Sequence, residues 1–392
     1  MFNYYMPSRI LFGAGKLDEL GSVQLPGKKA MIVISCGKSM RANGYLERVE
    51  NLLRKNGAES IVYDKILPNP ICTHVDEAAD IAKKEKCDFI IGLGGGSTID
   101  ATKAIAVMAK NDGKYWDYIP RGTGGKKPVK EEALPIIAIT TTAGTGTEAD
   151  PFMVISNPDT EEKIGFGVAP VTFPVLSIVD PELMLTVPAH LTAYQGFDTL
   201  FHASEGYISN KANEMSDMFA LQSVSLIAKS LAKAVDHGSD LDARTDVALA
   251  NTLAGVVECT SSCTSEHAME HAMSAYQPSL PHGAGLIMLS VPYFTFFAQK
   301  VPERMADLAR AMGKKVDGLP LAEQAMQFVE ALKELQASCH VAGLKMSDYN
   351  IKKEQLPDYV TKSKFTMGQL FDNDRHYLSD AECLSIFEEA YL

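Results

Sequence analysis

The sequence predicts two domains: an α/β domain with a parallel sheet over residues 1–182, and an all-helical domain over residues 183–392. Two observations predict this arrangement. Between residues 29 and 107, short β-branched runs alternate with amphipathic segments, which is typical of a parallel sheet with helices on both faces. After Asp180 and Pro181 the strand patterns disappear and long helical stretches follow. A chain of 392 residues is long enough for two or three separate cores.

The elements of the first domain follow from local patterns. Continuous apolar, β-branched runs predict buried strands, and stretches with helical periodicity predict the helices between them. Two strand-like runs around the loop Asn157–Asp159 predict a hairpin over residues 153–168. The predicted strands are residues 30–34, 60–63, 88–93 and 135–140, and the predicted helices are residues 46–56, 75–86 and 97–107.

The second domain contains only helical patterns. Its longest apolar stretch, residues 284–298, is shorter than the ~20 residues that a membrane-spanning helix needs, so we expect a buried segment there. The predicted helices are residues 193–209, 216–237, 243–274, 306–312 and 321–342.

Composition excludes several classes of protein. The chain is 46% hydrophobic and 22% charged, which excludes disordered, collagenous and coiled-coil proteins. Its net charge of −12 opposes binding to nucleic acid or anionic lipid. The amino terminus has no basic stretch followed by an apolar run, so we expect a cytoplasmic protein without nucleic-acid or membrane partners. Seven scattered cysteines without a CxxC pair indicate no disulfide framework.

A glycine-rich turn, Gly92–Ser97, directly follows the third strand and opens a helix. Free backbone amides and the helix dipole make such a turn an anion site, so we expect it to bind a pyrophosphate. Ser97 and Asp100 have the spacing of a capping pair, which fits a helix start with or without a ligand. The alternative is a tight strand-to-helix turn alone. The ordinary GxGxxG fingerprint after the first strand is absent.

A second turn rich in glycine and threonine, Thr140–Glu148, follows the next strand. It offers hydroxyls and amides at the same carboxyl edge of the sheet, and two such turns form a nucleotide crevice. The alternative is that the threonine hydroxyls only make local turn hydrogen bonds.

Five chemically reactive side chains have metal-binding spacing in the helical half. Asp198 and His202 are separated by four residues on one predicted helix, as are His267 and His271, so each pair projects from one helix face. His282 lies in a turn shortly after the second pair. One carboxylate and several imidazoles suit Fe²⁺, Zn²⁺, Co²⁺ or Mn²⁺.

A thiolate ligand is an open alternative. Cys259 and Cys263 fall on the stretch predicted to form one helix with His267, and Cys263 is four residues before His267. Structural zinc sites usually use cysteine, so a site of histidines and a carboxylate would be an open, catalytic one.

Taken together, these motifs make the chain resemble the iron-containing (group III) alcohol dehydrogenase family, and the resemblance runs nearly end to end. It implies a Rossmann-like sheet and a helical domain, the architecture that this family shares with dehydroquinate synthase. The segments that carry the resemblance are Pro7–Gly13, Pro68–Pro70, Gly94–Ser97, Thr141–Glu148, Asp180–Met184, Gly196–Tyr207 and Pro281–Gly283.

The resemblance implies roles for individual residues. It assigns His271 to proton relay near the nicotinamide, and Lys163 to the nicotinamide ribose. The implied metal ligands are Asp198, His202, His267 and His282. The other expected cofactor contacts in the two turns are Gly94, Gly95, Gly96, Ser97, Asp100, Thr141, Thr142 and Thr147. The sequence departs from the family pattern at Thr260–Glu266, which replaces a more glycine-rich stretch, and in a longer gap before His282.

The end of the first strand bears on the cofactor. Gly37, Lys38 and Ser39 follow it, Arg41 lies just beyond, and no acidic residue occurs there. NAD sites usually place a carboxylate on the ribose 2′-hydroxyl, so the sequence favours NADP(H) over NAD(H). The alternative is that Lys38 and Arg41 are merely solvated.

The expected function is the interconversion of small primary alcohols and aldehydes by hydride transfer, with Fe²⁺, Zn²⁺ or another divalent ion polarising the substrate oxygen. Family resemblance implies a homodimer or larger homo-oligomer. One alternative is a glycerol dehydrogenase-like enzyme with only three protein ligands. Whether His267 is a ligand distinguishes the two. Another is a dehydroquinate synthase-like lyase, which would need several cations for its anionic substrate. Apolar residues near the ligands favour a small neutral substrate instead: Phe197, Phe201, Met269, Met273 and Tyr276.

Overall fold

The computed structural model describes residues 2–391 and divides them into two compact units. The α/β unit contains residues 6–142 and 147–185. The helical unit contains residues 2–5, 143–146 and 186–391. The sequence placed a single boundary at residues 182 and 183. The two short segments that belong to the helical unit carry no helical pattern of their own, and so the sequence assigned them to the first domain.

Over the described residues, the α/β unit is built on a six-stranded sheet in which every neighbouring pair is parallel. The predicted parallel sheet is therefore confirmed. The sheet strands are β1 Arg9–Phe12, β2 Lys29–Ser35, β3 Glu59–Ile66, β4 Phe89–Gly94, β5 Ile136–Thr140 and β8 Leu176–Val179. The sequence did not predict β1 and β8, because four residues are too few to show a periodic pattern.

Strand order identifies where this sheet can bind a ligand. The order is β1-β8-β5-β4-β2-β3, so the chain leaves β2 on one side to form β3 and returns on the other side to form β4. This reversal is a topological switch point, and open α/β sheets bind ligands at the carboxyl ends of the strands beside it. The turns after β2 and β4 lie there. The helices of this unit are α1 Ser39–Ala42, α2 Tyr45–Lys55, α3 Cys72–Lys84 and α4 Gly96–Met108.

Branched apolar side chains fill both faces of the sheet. Ile32, Ile91, Ile137 and Ile178 are fully buried on adjacent strands and form one cluster with Leu53 of α2. Such strands read as continuous apolar runs because neither face meets water. The predicted hairpin is also confirmed: β6 Phe152–Asn157 and β7 Glu162–Gly167 pair antiparallel outside the main sheet.

The helical unit holds the second core. Its helices are α5 Ala189–Ile208, α6 Glu214–Asp236, α7 Leu241–Ser261, α8 Ser265–Tyr276, α9 His282–Lys300, α10 Pro302–Ala311, α11 Leu321–Ser338, α12 Leu356–Phe371 and α13 Asp380–Ala390. The apolar stretch at residues 284–298 is mostly buried and lies within α9.

One helix prediction is wrong. Residues 243–274 do not form a single helix, since α7 ends at Ser261 and α8 begins at Ser265. Ser262 has a positive φ of 65°, which ends the first helix. The backbone N–H and the hydroxyl of Thr264 both donate to the buried carboxylate of Glu205, at 2.8 and 2.9 Å, and this fixes the start of α8. The prediction placed Cys259 and His267 on one helix. Because the helix is interrupted, Cys259 lies on α7 and His267 on α8.

Among the described residues, α6 is the one helix long and apolar enough to cross a membrane. Half of its most apolar window is buried inside the protein, where it packs against α5 and α7. Core helices of soluble proteins commonly pass the same test, so this feature is weak evidence for a membrane span.

Candidate active site

The first two predicted ligands project from a buried part of α5. Asp198 and His202 are one turn apart, and both are about 95% buried. The same helix carries Phe201, whose ring packs between the rings of Phe197 and Phe294. The aromatic contacts thus bury the helix and fix the orientation of its polar residues. Phe197 and Phe201 are consequently core residues, and they do not supply the substrate lining that we expected of them.

The backbone of the segment 143–146 supports this part of α5. The carbonyl of Gly144 lies 3.2 Å from Nδ1 of His202 and accepts a hydrogen bond from the Thr199 hydroxyl, also at 3.2 Å. Gly146 has a left-handed backbone, and its N–H donates to the amide oxygen of Asn251 on α7. The middle of the second glycine-threonine turn therefore fixes a predicted metal ligand.

Three histidines converge on one carboxylate oxygen. Oδ1 of Asp198 lies 3.5 Å from Nε2 of His267, 3.5 Å from Nε2 of His282 and 3.7 Å from Nδ1 of His202. His267 comes from the first turn of α8, and His282 is the first residue of α9. Oδ1 of Asp198 and Nε2 of His267 are buried and have no hydrogen-bond partner. The structure thus brings together the four residues that the family resemblance implies as ligands.

These donors fit a divalent metal ion. Four ligands at 2.0–2.2 Å in a tetrahedron lie about 3.4 Å from one another, close to the three separations measured from Asp198. The donor set is one carboxylate oxygen and imidazole nitrogens, which suits Fe²⁺ or Zn²⁺. Buried polar atoms without a partner are costly, and a bound cation would satisfy both of them.

The electrostatic environment favours the deprotonated forms of Asp198 and His202. For His267, burial alone would lower the pKa, but Cys263 and Glu205 raise it well above its usual value. Burial alone would raise the pKa of Asp198, but the surrounding histidines hold it well below its usual range. Burial lowers the pKa of His202 to about 4, and it outweighs the attraction of Asp198. At neutral pH the site therefore offers a carboxylate and a neutral imidazole, the forms that bind a metal.

The thiolate alternative loses support. Sγ of Cys263 lies within 4.8 Å of nitrogens of His202 and His267. Burial raises the pKa of this thiol far above its usual value, which disfavours the thiolate form. Cys259 lies on α7, where its Sγ is 3.8 Å from the carbonyl oxygen of Tyr5.

His271 lies beside this centre but does not share the Asp198 oxygen. Its ring centroid is 5.3 Å from that of His282 and 6.4 Å from that of His267. The position, one helical turn from a ligand, is compatible with the relay role implied by the resemblance. That role stays a prediction.

Glu258 is a charged group near the centre that sequence reasoning missed. Oε2 of Glu258, on α7, lies 3.8 Å from Nε2 of His202, and the Glu258 side chain is partly exposed. Because Glu258 lies more than fifty residues from His202 in the chain, no local spacing could have indicated this contact.

The two glycine turns meet at neighbouring strand ends. The N–H of Thr141 donates to the carbonyl of Gly94 at 2.9 Å. A Cβ on Gly95 would lie 2.7 Å from Oγ1 of Thr142, so only glycine fits at this position. The glycine turn and the threonines after β5 are therefore in contact, as the predicted nucleotide crevice requires.

The predicted cap of α4 is wrong in detail. The N-cap residue is Gly95, whose backbone is extended, and no side chain caps this helix. The Ser97 hydroxyl donates instead to the carbonyl of Pro68. An uncapped helix start leaves its amides available, which favours the anion site over a simple capped turn.

Several expected cofactor contacts form a buried network. The carboxylate of Asp100 accepts hydrogen bonds from the hydroxyl of Thr147 at 2.7 Å and from the N–H of Val154 at 2.9 Å. Lys163 is 5% exposed. These interactions connect α4 to the second turn and the hairpin. A direct contact of Asp100, Thr147 or Lys163 with a nucleotide stays a prediction.

Lys103 is the residue of this network that the sequence did not indicate. Its ammonium is completely buried and donates to Oγ1 of Thr147 at 2.6 Å, to Oδ1 of Asp150 at 3.0 Å and to two backbone carbonyls. A lysine in the otherwise apolar run of α4 was the available signal. Its hydrogen bonds fix the second turn against the glycine-turn helix.

The turn after β2 borders a cavity of about 490 Å³. Lys38 and Arg41 line it, as expected, but so does Asp64 of β3, whose Oδ2 lies 2.8 Å from Nη2 of Arg41. The sequence placed no acid here because Asp64 is 23 residues from Arg41, at the end of the neighbouring strand. The cavity therefore contains both the cations that would bind a 2′-phosphate and a carboxylate. Its lining residues are Cys36, Gly37, Lys38, Arg41, Ala42 and Asp64.

Two family models match the chain. The model of the iron-containing alcohol dehydrogenases matches residues 7–181, and the model of the carboxyl-terminal part of the Fe-containing alcohol dehydrogenase family matches residues 192–391. The chain belongs to the iron-containing alcohol dehydrogenase family. The resemblance stated from the motifs is thus confirmed.

Relatives in this family align over most or all of their length. A 1,3-propanediol dehydrogenase of Citrobacter freundii is 34% identical over 395 residues, with 100% of this chain and 99% of the relative covered. An NAD-dependent methanol dehydrogenase of Bacillus methanolicus is 33% identical, with 93% of each chain covered. The crystal structure of an archaeal alcohol dehydrogenase from a Red Sea brine pool superimposes with a TM-score of 0.94 at 33% identity, covering 100% of this chain and 99% of the other.

The protein is accordingly a metal-dependent alcohol dehydrogenase that uses a nicotinamide cofactor. The expected fold class and reaction class are confirmed, and the lyase and polyol alternatives are not favoured. The family implies Fe²⁺ and NAD(H). The preference for NADP(H) has no support from the relatives, since the methanol dehydrogenase is NAD-dependent.

Proposed function

We propose that Asp198, His202, His267 and His282 hold the divalent ion, with Fe²⁺ as the native metal, and that the enzyme interconverts small neutral alcohols and aldehydes. The observation that carries this proposal is the buried Oδ1 of Asp198, which faces nitrogens of three histidines at 3.5–3.7 Å. When bound, the ion supplies Lewis-acid polarisation of the substrate oxygen.

The protein side chains have distinct tasks in this proposal. The four ligands would hold the ion, which would supply its Lewis acidity to the substrate oxygen. The imidazole of His271 accepts the hydroxyl proton during oxidation and returns it during reduction, a role that histidine side chains commonly have in enzymes. The glycine turn at Gly94–Ser97 holds the pyrophosphate, so that the nicotinamide is oriented for hydride transfer.

The reaction is tested by absorbance at 340 nm. Protein treated with a chelator is mixed with butyraldehyde and NADPH or NADH, and Fe²⁺ or Zn²⁺ is added under anaerobic conditions. Metal-restored oxidation of either nucleotide supports the proposal and ranks both metal and nucleotide. 1,3-Propanediol and methanol, the alcohols in the names of two relatives, are the substrates to compare in the oxidative direction. Failure of Fe²⁺ and Zn²⁺ to restore turnover with all of these substrates would contradict it.

We further propose that the cavity beside β2 favours NADP(H), because a 2′-phosphate would replace Asp64 as the partner of Arg41. An exposed ion pair contributes little, so a phosphate competes readily with the Asp64 carboxylate. The variant K38A/R41A should lose at least tenfold in kcat/KM with NADPH and much less with NADH. Asp64→Asn should improve the use of NADPH. Equal losses with both nucleotides would contradict the preference.

The protein is also proposed to be a cytoplasmic homodimer or larger homo-oligomer, on family resemblance and on the sequence features described above. Size-exclusion chromatography with light scattering measures the mass directly. A mass near that of one 42.6 kDa chain at micromolar concentration would contradict the oligomer.

A further inference from the structure

Two buried carboxylates stand behind the ligand histidines. Glu205, on α5, contacts Nδ1 of His267, and Glu270, on α8, contacts Nδ1 of His282. Both carboxylate side chains are completely buried. In each histidine the other ring nitrogen, Nε2, faces Oδ1 of Asp198 at 3.5 Å. Each ring therefore connects a buried carboxylate on one side to the metal-site oxygen on the other.

This arrangement favours one of the two neutral forms of each ring. Where Nδ1–H donates to the carboxylate, Nε2 keeps its lone pair for a metal. A negatively charged carboxylate that accepts from Nδ1–H also makes Nε2 a stronger base and a better metal ligand. His202 differs, because its Nδ1 faces both the carbonyl of Gly144 and Oδ1 of Asp198.

The Glu270 side chain occupies space beside α9 that is available because residue 285 is glycine. A Cβ on Gly285 would lie 2.7 Å from Cγ and 2.9 Å from Oε1 of Glu270. Gly285 is three residues after His282 on α9, on the same helix face. The helix that starts with the ligand thus also provides the space for the carboxylate that contacts it. Glu270 further lies within 4.8 Å of nitrogens of both His282 and His271.

We infer that Glu270 is a positioning residue that fixes His282 in the Nδ1–H form with Nε2 directed at the metal. Glu205 does the same for His267. This inference rests on the proposed ligand set. It adds that metal affinity in this chain depends on two carboxylates that do not touch the ion.

Metal affinity of the chelator-treated protein is the direct test. Zn²⁺ dissociation constants are measured by competition with a chromophoric chelator for the wild type, E270L, E270Q and G285A. We expect E270L to bind Zn²⁺ about 10- to 100-fold more weakly, the usual effect of removing such a partner. E270Q keeps an acceptor oxygen without the charge, so its loss should be smaller. G285A leaves the carboxylate chemically intact but displaces it, and should resemble E270L.

A control and a second readout separate positioning from general damage. Asp374 is another buried carboxylate of the helical unit, whose contacts are with Ser265 and Tyr293 instead of a ligand histidine. D374N should bind Zn²⁺ like the wild type. The visible spectrum of the Co²⁺-loaded protein reports ligand geometry, and we expect it to change in E270L and G285A but not in D374N.

The outcomes distinguish this inference from the proposed ligand set. Wild-type Zn²⁺ affinity and Co²⁺ spectra in both E270Q and G285A would overturn the role of Glu270, whether or not E270L folds. Equal affinities of the wild type and H267A would instead overturn the ligand set. Weaker binding in G285A, with no additional loss in the E270Q/G285A double variant, would support the inference because both changes then act on one contact.

Discussion

At the scale of single residues, the proposed metal site contains buried polar atoms whose burial costs free energy, and a bound cation would reduce that cost. Oδ1 of Asp198 and Nε2 of His267 are buried without hydrogen-bond partners. Leaving such a group unsatisfied costs roughly 1–3 kcal/mol, and more for a charged one. The aromatic packing of α5 and the short connection between α7 and α8 keep these atoms in place despite that cost.

We expect His267→Ala to lose metal retention, because His267 is a ligand in the proposed set and its Nε2 directly faces Asp198. Metal content after gel filtration, measured by plasma mass spectrometry, should fall from near one ion per chain to background. His340→Ala is the matched control, since the His340 side chain is 71% exposed and pairs with Asp236 at the surface. Full metal occupancy in H267A would favour a three-ligand site.

Lys103→Met should destabilise the protein by about 3–5 kcal/mol, because it leaves the buried carboxylate of Asp150 without its cation. Urea unfolding of the wild type and the variant measures this loss. The double variant K103M/D150N should be less destabilised than K103M alone, since no uncompensated charge remains. A loss below about 1 kcal/mol in K103M would show that the ion pair contributes little.

At the scale of elements, α7 approaches the segment 143–146 so closely that only glycine fits. A Cβ on Gly255 would lie 2.1 Å from the carbonyl oxygen of Gly146. Gly144, two residues earlier, supports His202 through its carbonyl. The contact between α7 and this turn therefore helps to position His202, a proposed metal ligand.

Gly255→Ala should cost about 1–3 kcal/mol, since either α7 or the turn must move. The same change at Gly368 is the matched control, because that helix glycine has open space around the missing Cβ. We expect G368A to be neutral or stabilising by about 0.5–1 kcal/mol. Urea unfolding compares the two, and equal effects would argue against the close approach.

The start of α13 should be sensitive to acid. Glu382 accepts hydrogen bonds from the N–H and hydroxyl of Ser379 and lies 3.0 Å from His376, and these contacts lower its pKa from 4.5 to about 2. A lowered carboxylate pKa contributes stability that is complete above pH 4.5 and is lost as the pH falls toward 2. Glu382→Gln should therefore cost about 1 kcal/mol at pH 6 and less at pH 3.5.

Urea unfolding of the wild type and E382Q at the two pH values measures this difference. Glu388→Gln, at the other end of the same helix, serves as the control and should show no such pH dependence. A constant difference between the wild type and E382Q would mean that the capping contacts do not depend on the charge of Glu382.

At the scale of the whole molecule, metal binding should stabilise the fold, because all four proposed ligands come from the helical unit and converge only when it is folded. Zn²⁺ at one hundred times its dissociation constant should raise the free energy of unfolding by about 2.7 kcal/mol. Urea titrations of chelator-treated protein with and without Zn²⁺ measure this. The same addition should leave H267A unchanged, and equal gains in both proteins would point to binding elsewhere.

The sequence by itself determined the features whose signal is local. Alternating β-branched and amphipathic runs determined the parallel sheet, and the four-residue spacing of Asp198 and His202 placed both on one helix face. Only the tertiary structure decided that Glu205 and Glu270 stand behind the ligand histidines, that Asp64 faces Arg41, and that Lys103 fixes the second turn. Each of these contacts joins residues on different elements, most of them distant in the chain. Helix and strand periodicity describes which face of an element is buried, but which polar groups meet inside depends on how the elements pack.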